Sequence, residues 1–432
     1  MKTHFRTPVF LLLLVTSQII SAADLCVNEL GTGGCYSSII AAIAAASNGD
    51  RILIEPKPGG VPYVENFTIN KSLQLLSNQE GQKWVLQGNI TISTAPGRNI
   101  AILHMKNIKG NVETDASVSG TRCRITVADC EVDTGYLSFN HTGLDVLVAS
   151  NSVKNGYITL RYGNVFGNEV VMNNGGSFFA PFDGVNAGIS YLSDGTASDT
   201  FFIVGNRIIN NVTGSGSTNY GGISINNTGR FQYVANNYYY VSAATGYNQY
   251  GIYLNNAKND NTVTHKFFNN TVRGNLSQTS GVIVGLTFYL CPSLARFEVY
   301  NNLVLGSTSA PTRISIHYAS SSSMMNVSYN ISNLPFSGLA NNGTNNLATT
   351  TTINPTTAQI ISGDAINGGH PDPMFSDHDL TRNDAGVWGG SYSHANFFPL
   401  PVTGAARVAF VRAPNYLLLG DPLNIRGNSF DR

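Results

Sequence analysis

The sequence predicts an all-β chain wound as a parallel β-solenoid, and three observations carry that prediction. Charged residues make up only 12% of the 432 positions, about half the roughly 25% usual for a soluble domain. Two short markers alternate along the middle of the chain at intervals of roughly 20–35 residues, the period of stacked repeats. The recurring residues are apolar–polar alternations and asparagines, which suit short strands and tight turns. A helical bundle or a two-sided α/β enzyme would place far more Glu, Lys and Arg on its helices. Lys plus Arg equals Asp plus Glu at 25 each, and that balance argues against a nucleic-acid footprint. No nucleic-acid partner is expected.

Taken in chain order, the first element is an export signal over residues 1–22. Lys2, His4 and Arg6 precede the apolar run Val9–Val15, and Ser21-Ala22-Ala23 supplies small residues for cleavage. No later stretch is apolar enough to span a bilayer. The expectation is a secreted protein, extracellular or periplasmic. Cys26 and Cys35 flank a Gly-rich turn and are expected to pair in an oxidising compartment. Cys123 and Cys130 are a second possible pair, with burial of Cys130 in a turn stack as the competing reading. Ser37–Ser47 reads as a capping helix, with Ile39, Ile40 and Ile43 on its apolar face and Asn48-Gly49 as its stop.

The coils follow. One marker is a small residue followed by alternating apolar and polar residues, as in Gly135–Asn140, Gly156–Arg161, Gly188–Leu192, Gly222–Asn226 and Gly251–Asn255. Weaker copies are Asn111–Asp115, Val284–Thr287 and Ile314–His317. The second marker is a turn residue at Cys130, Asn151, Asn168, Asn206, Asn237, Asn270 and Asn302, with Asn330 as a frayed copy. Stacked coils would turn Val112, Leu137, Ile158, Ile189, Ile223 and Ile252 into an aliphatic ladder. Equivalent asparagines would stack their amides and satisfy the bent backbone. Residues 23–361 are thus expected to form the helix with its N-terminal cap, and 362–432 a C-terminal cap of the same domain. In that cap Arg407–Val411 and Tyr416–Leu419 read as a hairpin packed along the barrel.

The opening coil, Gly49–Ile54, Tyr63–Asn66 and Lys71–Leu73, resembles that of the pectin-lyase-like right-handed parallel β-helix superfamily. The stretch Asp377–Gly386 followed by Gly389-Gly390 resembles the C-terminal capping segment of secreted bacterial members. The resemblance implies a right-handed parallel β-helix and a polysaccharide as partner. It leaves chemistry open, because the superfamily includes lyases, hydrolases, esterases and adhesins. The hydrolase blocks of the superfamily cannot be placed on these coils. Only Asp260 is acidic between residues 200 and 297, too few for a calcium-holding carboxylate cluster.

The polar row of the first marker is where a glycan would lie. It offers Asn140, Asn226, Tyr253, Asn255, His317 and Tyr318 as substrate-binding residues. A metal-independent lyase needs a cation against the uronate carboxylate plus an acid and a base. Arg161 is the candidate cation, with Tyr162 or His141 as its catalytic partner. Two carboxylates at hydrolase separation are conceivable only near Glu113, Asp115 and Asp133. An excess of cations over residues 200–350 would favour an anionic polymer. His370, Asp372, Asp377, His378 and Asp379 have ligand-like chemistry, but their Pro-rich setting reads as a structural loop. No metal and no cofactor is assigned. The leading expectation is a monomeric polysaccharide lyase without an acidic metal cluster. The alternative is a non-catalytic, adhesin-like glycan binder.

Overall fold

The computed structural model describes residues 22–176, 178–180, 184–192, 200–226, 229–243, 245–319, 324–337, 344–348, 350–400, 407–412, 423 and 425–430. The expected export signal, apart from Ala22, and Tyr416–Leu419 lie outside them. The chain is a right-handed parallel β-helix. Among the described residues, its main body has three parallel sheets of twelve, twelve and ten strands. Sheet A starts at Asp24–Val27, sheet B at Tyr63–Val64 and sheet C at Phe67–Ile69. Each coil runs A, then B, then C, as in Cys123–Ala128, Glu131–Val132 and Leu137–Phe139.

Period-two alternation explains the core. In sheet C, Phe67, Ile90, Val112, Leu137, Ile158, Ile189, Ile223, Ile252, Leu286 and Ile316 are consecutive register partners. All are buried in one continuous core. Burial of each such side chain contributes roughly 1.5–3 kcal/mol, so the stack itself is the main stabilising feature. No helix of the described residues is long and apolar enough to cross a membrane.

The A-to-B corner carries the asparagine stack. Asn151 donates from its backbone N–H and its Nδ2 to Asn168 Oδ1, at 3.0 and 2.9 Å. The same pair of bonds repeats from Asn168 to Asn206, Asn237, Asn270, Asn302 and Asn330. Asn330 is a regular member, and the stack continues one coil further, to Asn346. Cys130 occupies the first position and donates its N–H to Asn151 Oδ1. Cys26 and Cys35 form a disulfide. Cys123 and Cys130 are free and buried, which corrects the expectation of a possible second bridge. Both point into the core, and burial pushes the Cys130 thiol up to about 12.

The capping helix α1 spans Ile39–Ala45, shorter than expected at both ends. Ser38 caps it by accepting from the Ala41 N–H. The first coil then holds both termini: Glu65 accepts from the N–H groups of Ile39 and Ile40, and Lys71 donates to the carbonyls of Ile43, Ala44 and Ala46. Each charge complements the helix dipole. Ile39 and Ile43 enter the core, whereas Ile40 stays 48% exposed, contrary to the expected three-residue face.

Beyond Ala348 the coil pattern gives way to an antiparallel hairpin, Thr351–Ile353 with Ile360–Gly363. Residues 369–398 then run back along the A-to-B corner as a strap. Its anchors are the first asparagines of the pairs Asn236-Asn237, Asn269-Asn270 and Asn301-Asn302, each with φ between 53° and 58°. Asn236 Nδ2 donates to the carbonyls of Val387 and Gly389, and Asn269 Nδ2 to Asn383 Oδ1 and the carbonyls of Asp384 and Gly386. Asn301 Oδ1 accepts from the His370 N–H. Asp377 closes the loop by accepting from the N–H groups of Gly390 and Asp384. The final described hairpin pairs Arg407–Arg412 with Arg426–Phe430; the expected partner run Tyr416–Leu419 lies outside the described residues. Phe410 stacks on Phe166, which places that strand along sheet A.

Candidate functional site

The outer face of sheet C carries one unbroken row, from Thr68 through Thr91, Glu113, Ser138, Thr159, Ser190, Ser224, Tyr253 and Thr287 to His317. This row corrects the expected register at its far end. Asn255 pairs with Tyr289, and His317 lies two positions short of the Asn226–Asn255 line. Tyr318 points the other way, into the core.

Exposure divides the row in two. Thr68 is exposed, and Thr91, Glu113 and Ser138 are half-buried; from Thr159 through Thr287 every member is buried. The cause is the B-to-C connection. In the first five coils it is a tight turn of a few residues, closed by Gly88, Gly110, Gly135 and Gly156 in four of them. A Cβ on any of these would sit within 2.0 Å of the preceding coil's carbonyl oxygen. At Met172–Val185 the connection lengthens, and Phe179 folds back over sheet C. Its carbonyl accepts from the Ala187 N–H at 3.2 Å and from Ser190 Oγ at 3.5 Å.

The open part is a trough. Along its B-side edge Asn66, Asn89 and Asn111 form an outer amide row, each Oδ1 accepting from the backbone N–H of the next coil. Tyr136 and Tyr157 continue that edge with rings stacked at 4.8 Å, and Phe179 follows at 5.7 Å from Tyr157. At the other end, Ile40 and Ile43 of α1 line a 370 Å³ pocket with Asn66, Phe67, Thr68, Asn89, Thr91 and Glu113. Glu113 accepts from Tyr136 OH at 3.1 Å. Burial and then the Glu113 charge raise the Tyr136 hydroxyl above its usual range, while burial carries Tyr157 to about 12.

The far edge holds Asp115, Asn140 and Arg161. Burial pushes the Asp115 carboxyl up, but bonds from Thr94 outweigh it and leave the group below its ordinary value. Arg161 donates from Nε to the Asn140 carbonyl, and Thr159 Oγ1 donates to Asn140 Oδ1 at 2.7 Å. Arg161 makes no ion pair with a described residue. Of the two expected catalytic partners, Tyr162 follows it in sequence and His141 lies on the preceding coil, but both are engaged elsewhere. His141 Nδ1 meets Thr114 Oγ1 at 2.8 Å. The Tyr162 ring lies between the guanidinium groups of Arg122 and Arg230, at 3.7 and 3.8 Å.

The remaining expectations divide similarly. Asn226 is half-buried and Asn255 and Tyr253 are buried in the covered part, where Tyr253 stacks on Tyr289 at 6.4 Å. His317 is half-buried, and burial lowers its pKa. Its Nδ1 and the neighbouring Thr287 Oγ1 have no partner among the described residues. Asp133 is not near Glu113 and Asp115; it pairs with Lys106 and Lys154 on sheet B. The cation excess over residues 200–350 does not face the trough. Arg207, Lys258 and Lys266 pair with Glu169, Asp260 and Glu298. Arg273 lies over Tyr240, and Arg313 donates to the Ala310 carbonyl.

Asn66, Thr68, Asn89 and Thr91 are not among the site residues the sequence predicts, because the first marker begins only at Asn111. The usable signal was position: each edge residue immediately precedes the inward apolar residue of its strand.

No family model matches the chain, and no curated protein matches it either. Among solved structures the chain is similar to a point mutant of a PL6 family alginate lyase, with 15% identity and a TM-score of 0.35. The match covers 87% of this chain and 59% of that one, so the chain spans little more than half the neighbour's length. A likeness of this size carries no weight on chemistry.

Proposed function

We propose that the chain is an extracellular glycan-binding β-helix protein that seats an extended, carboxylate-bearing polysaccharide in the trough on the first coils of sheet C. The observation that carries the reading is Arg161. It is a guanidinium with no ion pair among the described residues, held by the Asn140 carbonyl at the end of a trough of amides, hydroxyls and aromatic rings whose carboxylates, Glu113 and Asp115, lie coils away. Amides and hydroxyls suit sugar hydroxyl groups, aromatic rings suit sugar faces, and a forked guanidinium suits a carboxylate. The Cys26–Cys35 disulfide is in keeping with an oxidising compartment.

Turnover by elimination is the finer reading. A base would take the proton next to the uronate carboxylate, the bond to the leaving oxygen would break, and an acid would protonate that oxygen. Arg161 would neutralise the carboxylate. His141 and Tyr162 would supply the proton transfers only after leaving Thr114 and the two arginines, and this favours binding over catalysis.

The test is calorimetric titration of the mature protein with uronate-containing and neutral oligosaccharides, alongside absorbance and reducing-end assays. Binding that falls at least tenfold in Arg161→Gln, without new absorbance or reducing ends, is the expected result. Unsaturated products would establish the lyase reading. No binding to any glycan would overturn the proposal.

A further inference from the structure

The trough is bounded, and its charges are unevenly placed. On one side the α1 residues Ile40 and Ile43 line the pocket at the Phe67–Ile69 strand. On the other, the Phe179 backbone lies across Ser190 and its ring faces Tyr157. Between these walls lie five strands, from Phe67–Ile69 to Ile158–Leu160. At roughly 4.8 Å per coil they span about 19 Å, and one sugar unit covers about one coil. Within that span the α1 end is neutral, with Asn66, Thr68, Asn89 and Thr91. The middle is anionic, with Glu113 outward on the Val112–Thr114 strand and the exposed Asp115 just past its end. Only the far end, two coils or roughly 10 Å further on, presents Arg161.

Resting on the glycan-binding reading above, we infer that the ligand is a stretch of four to five sugars from a sparsely charged heteropolysaccharide. Its single carboxylate sits at Arg161 and its neutral units lie over Glu113 and the amide row. A homopolymer of uronates would place a carboxylate on every coil, including the one that carries Glu113 and Asp115. Like charges at such spacing repel, and the half-buried setting of Glu113 weakens the screening by water. Glu113 is instead suited to accept hydrogen bonds from the hydroxyls of a neutral sugar, with Tyr136 fixing its orientation. The aromatic edge at Tyr136 and Tyr157 then supports the face of the ring next to the charged unit.

Three oligosaccharide series would be titrated into the mature protein at low salt. They are homo-oligouronates, neutral β-glucan oligomers, and oligomers of a gellan-type repeat with one glucuronate among four sugars. The heteropolymer series is expected to bind at least tenfold more tightly than homo-oligouronates, with affinity levelling off at four to five units. Glu113→Gln should improve homo-oligouronate binding several-fold. Arg161→Gln should reduce the heteropolymer series to the level of the neutral one. Homo-oligouronates that bind as tightly as the heteropolymer would overturn the inference, as would affinity still rising beyond six units; either result leaves the glycan-binding reading standing. Failure of all three series to bind overturns both.

Discussion

The first five coils and the later ones share a core and a corner stack, yet they treat the outer face of sheet C in opposite ways. In the early coils the B-to-C turn is closed by glycines so tightly stacked that no side chain fits, and the face stays open as far as Ser138. In the later coils the connection grows, the strands lengthen to Gly214–Asn226 and Thr245–Asn255, and the same face is buried. The lesson is that solenoid stacking fixes the floor, while turn length decides whether the floor can be reached. The later coils also carry a strap on paired asparagines, and they bury Gln232 and His265 in the core.

The largest effect should come from the turn glycines. Gly135 has φ of 147°, and a Cβ there would lie 2.0 Å from the Gly110 carbonyl oxygen. Gly135→Ala must spread the stack, at roughly 3–5 kcal/mol. Gly184, in the long connection, has φ of 66° with nothing within 4 Å. Gly184→Ala should cost only the left-handed strain, about 1–2 kcal/mol. Denaturant midpoints for the two variants compare the regions directly. Equal losses would show that tight stacking is not what distinguishes the early coils.

A second contrast is acid sensitivity of the later core. His265 is wholly buried between Phe231 and Phe297, and burial holds its pKa down at about 4. The unfolded chain binds a proton there below about 6.5, so the unfolded state is the more protonated one between the two values. Stability therefore rises with pH across that window, by on the order of 3 kcal/mol. His394, buried in the strap with its pKa lowered to about 3, adds a slope of the same sign. Asp377, raised to about 6 chiefly by burial, adds the opposite one: its contribution is full below about 4 and lost as pH rises through 6. His265→Phe should flatten the wild-type profile by its own share, measured as melting temperature from pH 4 to 7. An unchanged profile would mean that the imidazole is hydrated in the folded protein.

The strap offers a smaller, local effect. Asn269→Gly keeps a backbone suited to φ of 53° but removes three donated bonds to residues 383–386. A loss of about 1–2 kcal/mol is expected, read as faster amide exchange over residues 383–390 with the early coils unaffected. Exchange that quickens uniformly would mean that the strap and the coils open together.

How much of this was legible depended on whether the cause was local. The aliphatic row from Val112 to Ile252 and the stack from Cys130 to Asn330 could be read because strand alternation and turn chemistry recur at every coil. The register slip at Thr287 could not. The strand runs on to Tyr289, where the preceding coils end in Asn226 and Asn255, so the polar marker is missing where it was needed. The paired asparagines were in plain sight at 236–237, 269–270 and 301–302. The side chain of the second of each pair joins the corner stack; that of the first also binds more than 60 residues downstream. Arg161 was singled out for its charge. Its place at the end of the trough depends on the Phe179 segment that covers the next coil, whose path periodicity does not encode.

The smallest effect concerns the later core itself. Gln232 points inward in register with Phe201 on one side and occupies the coil next to His265 on the other. It is 0% exposed, and neither its Nε2 nor its Oε1 has a partner among the described residues. The early coils put Ile125 and Val146 at the equivalent positions, as the strand pairings require. Replacing a buried polar group that lacks partners by an apolar one of similar shape is neutral or stabilising. Gln232→Leu should therefore leave stability unchanged or raise it by up to about 1 kcal/mol, a melting shift of a few degrees at most. Such a result would make the later core an early-type core carrying a tolerated polar defect. A loss above about 1 kcal/mol would mean instead that ordered water satisfies the amide, and that the two halves of the solenoid are held together by different means.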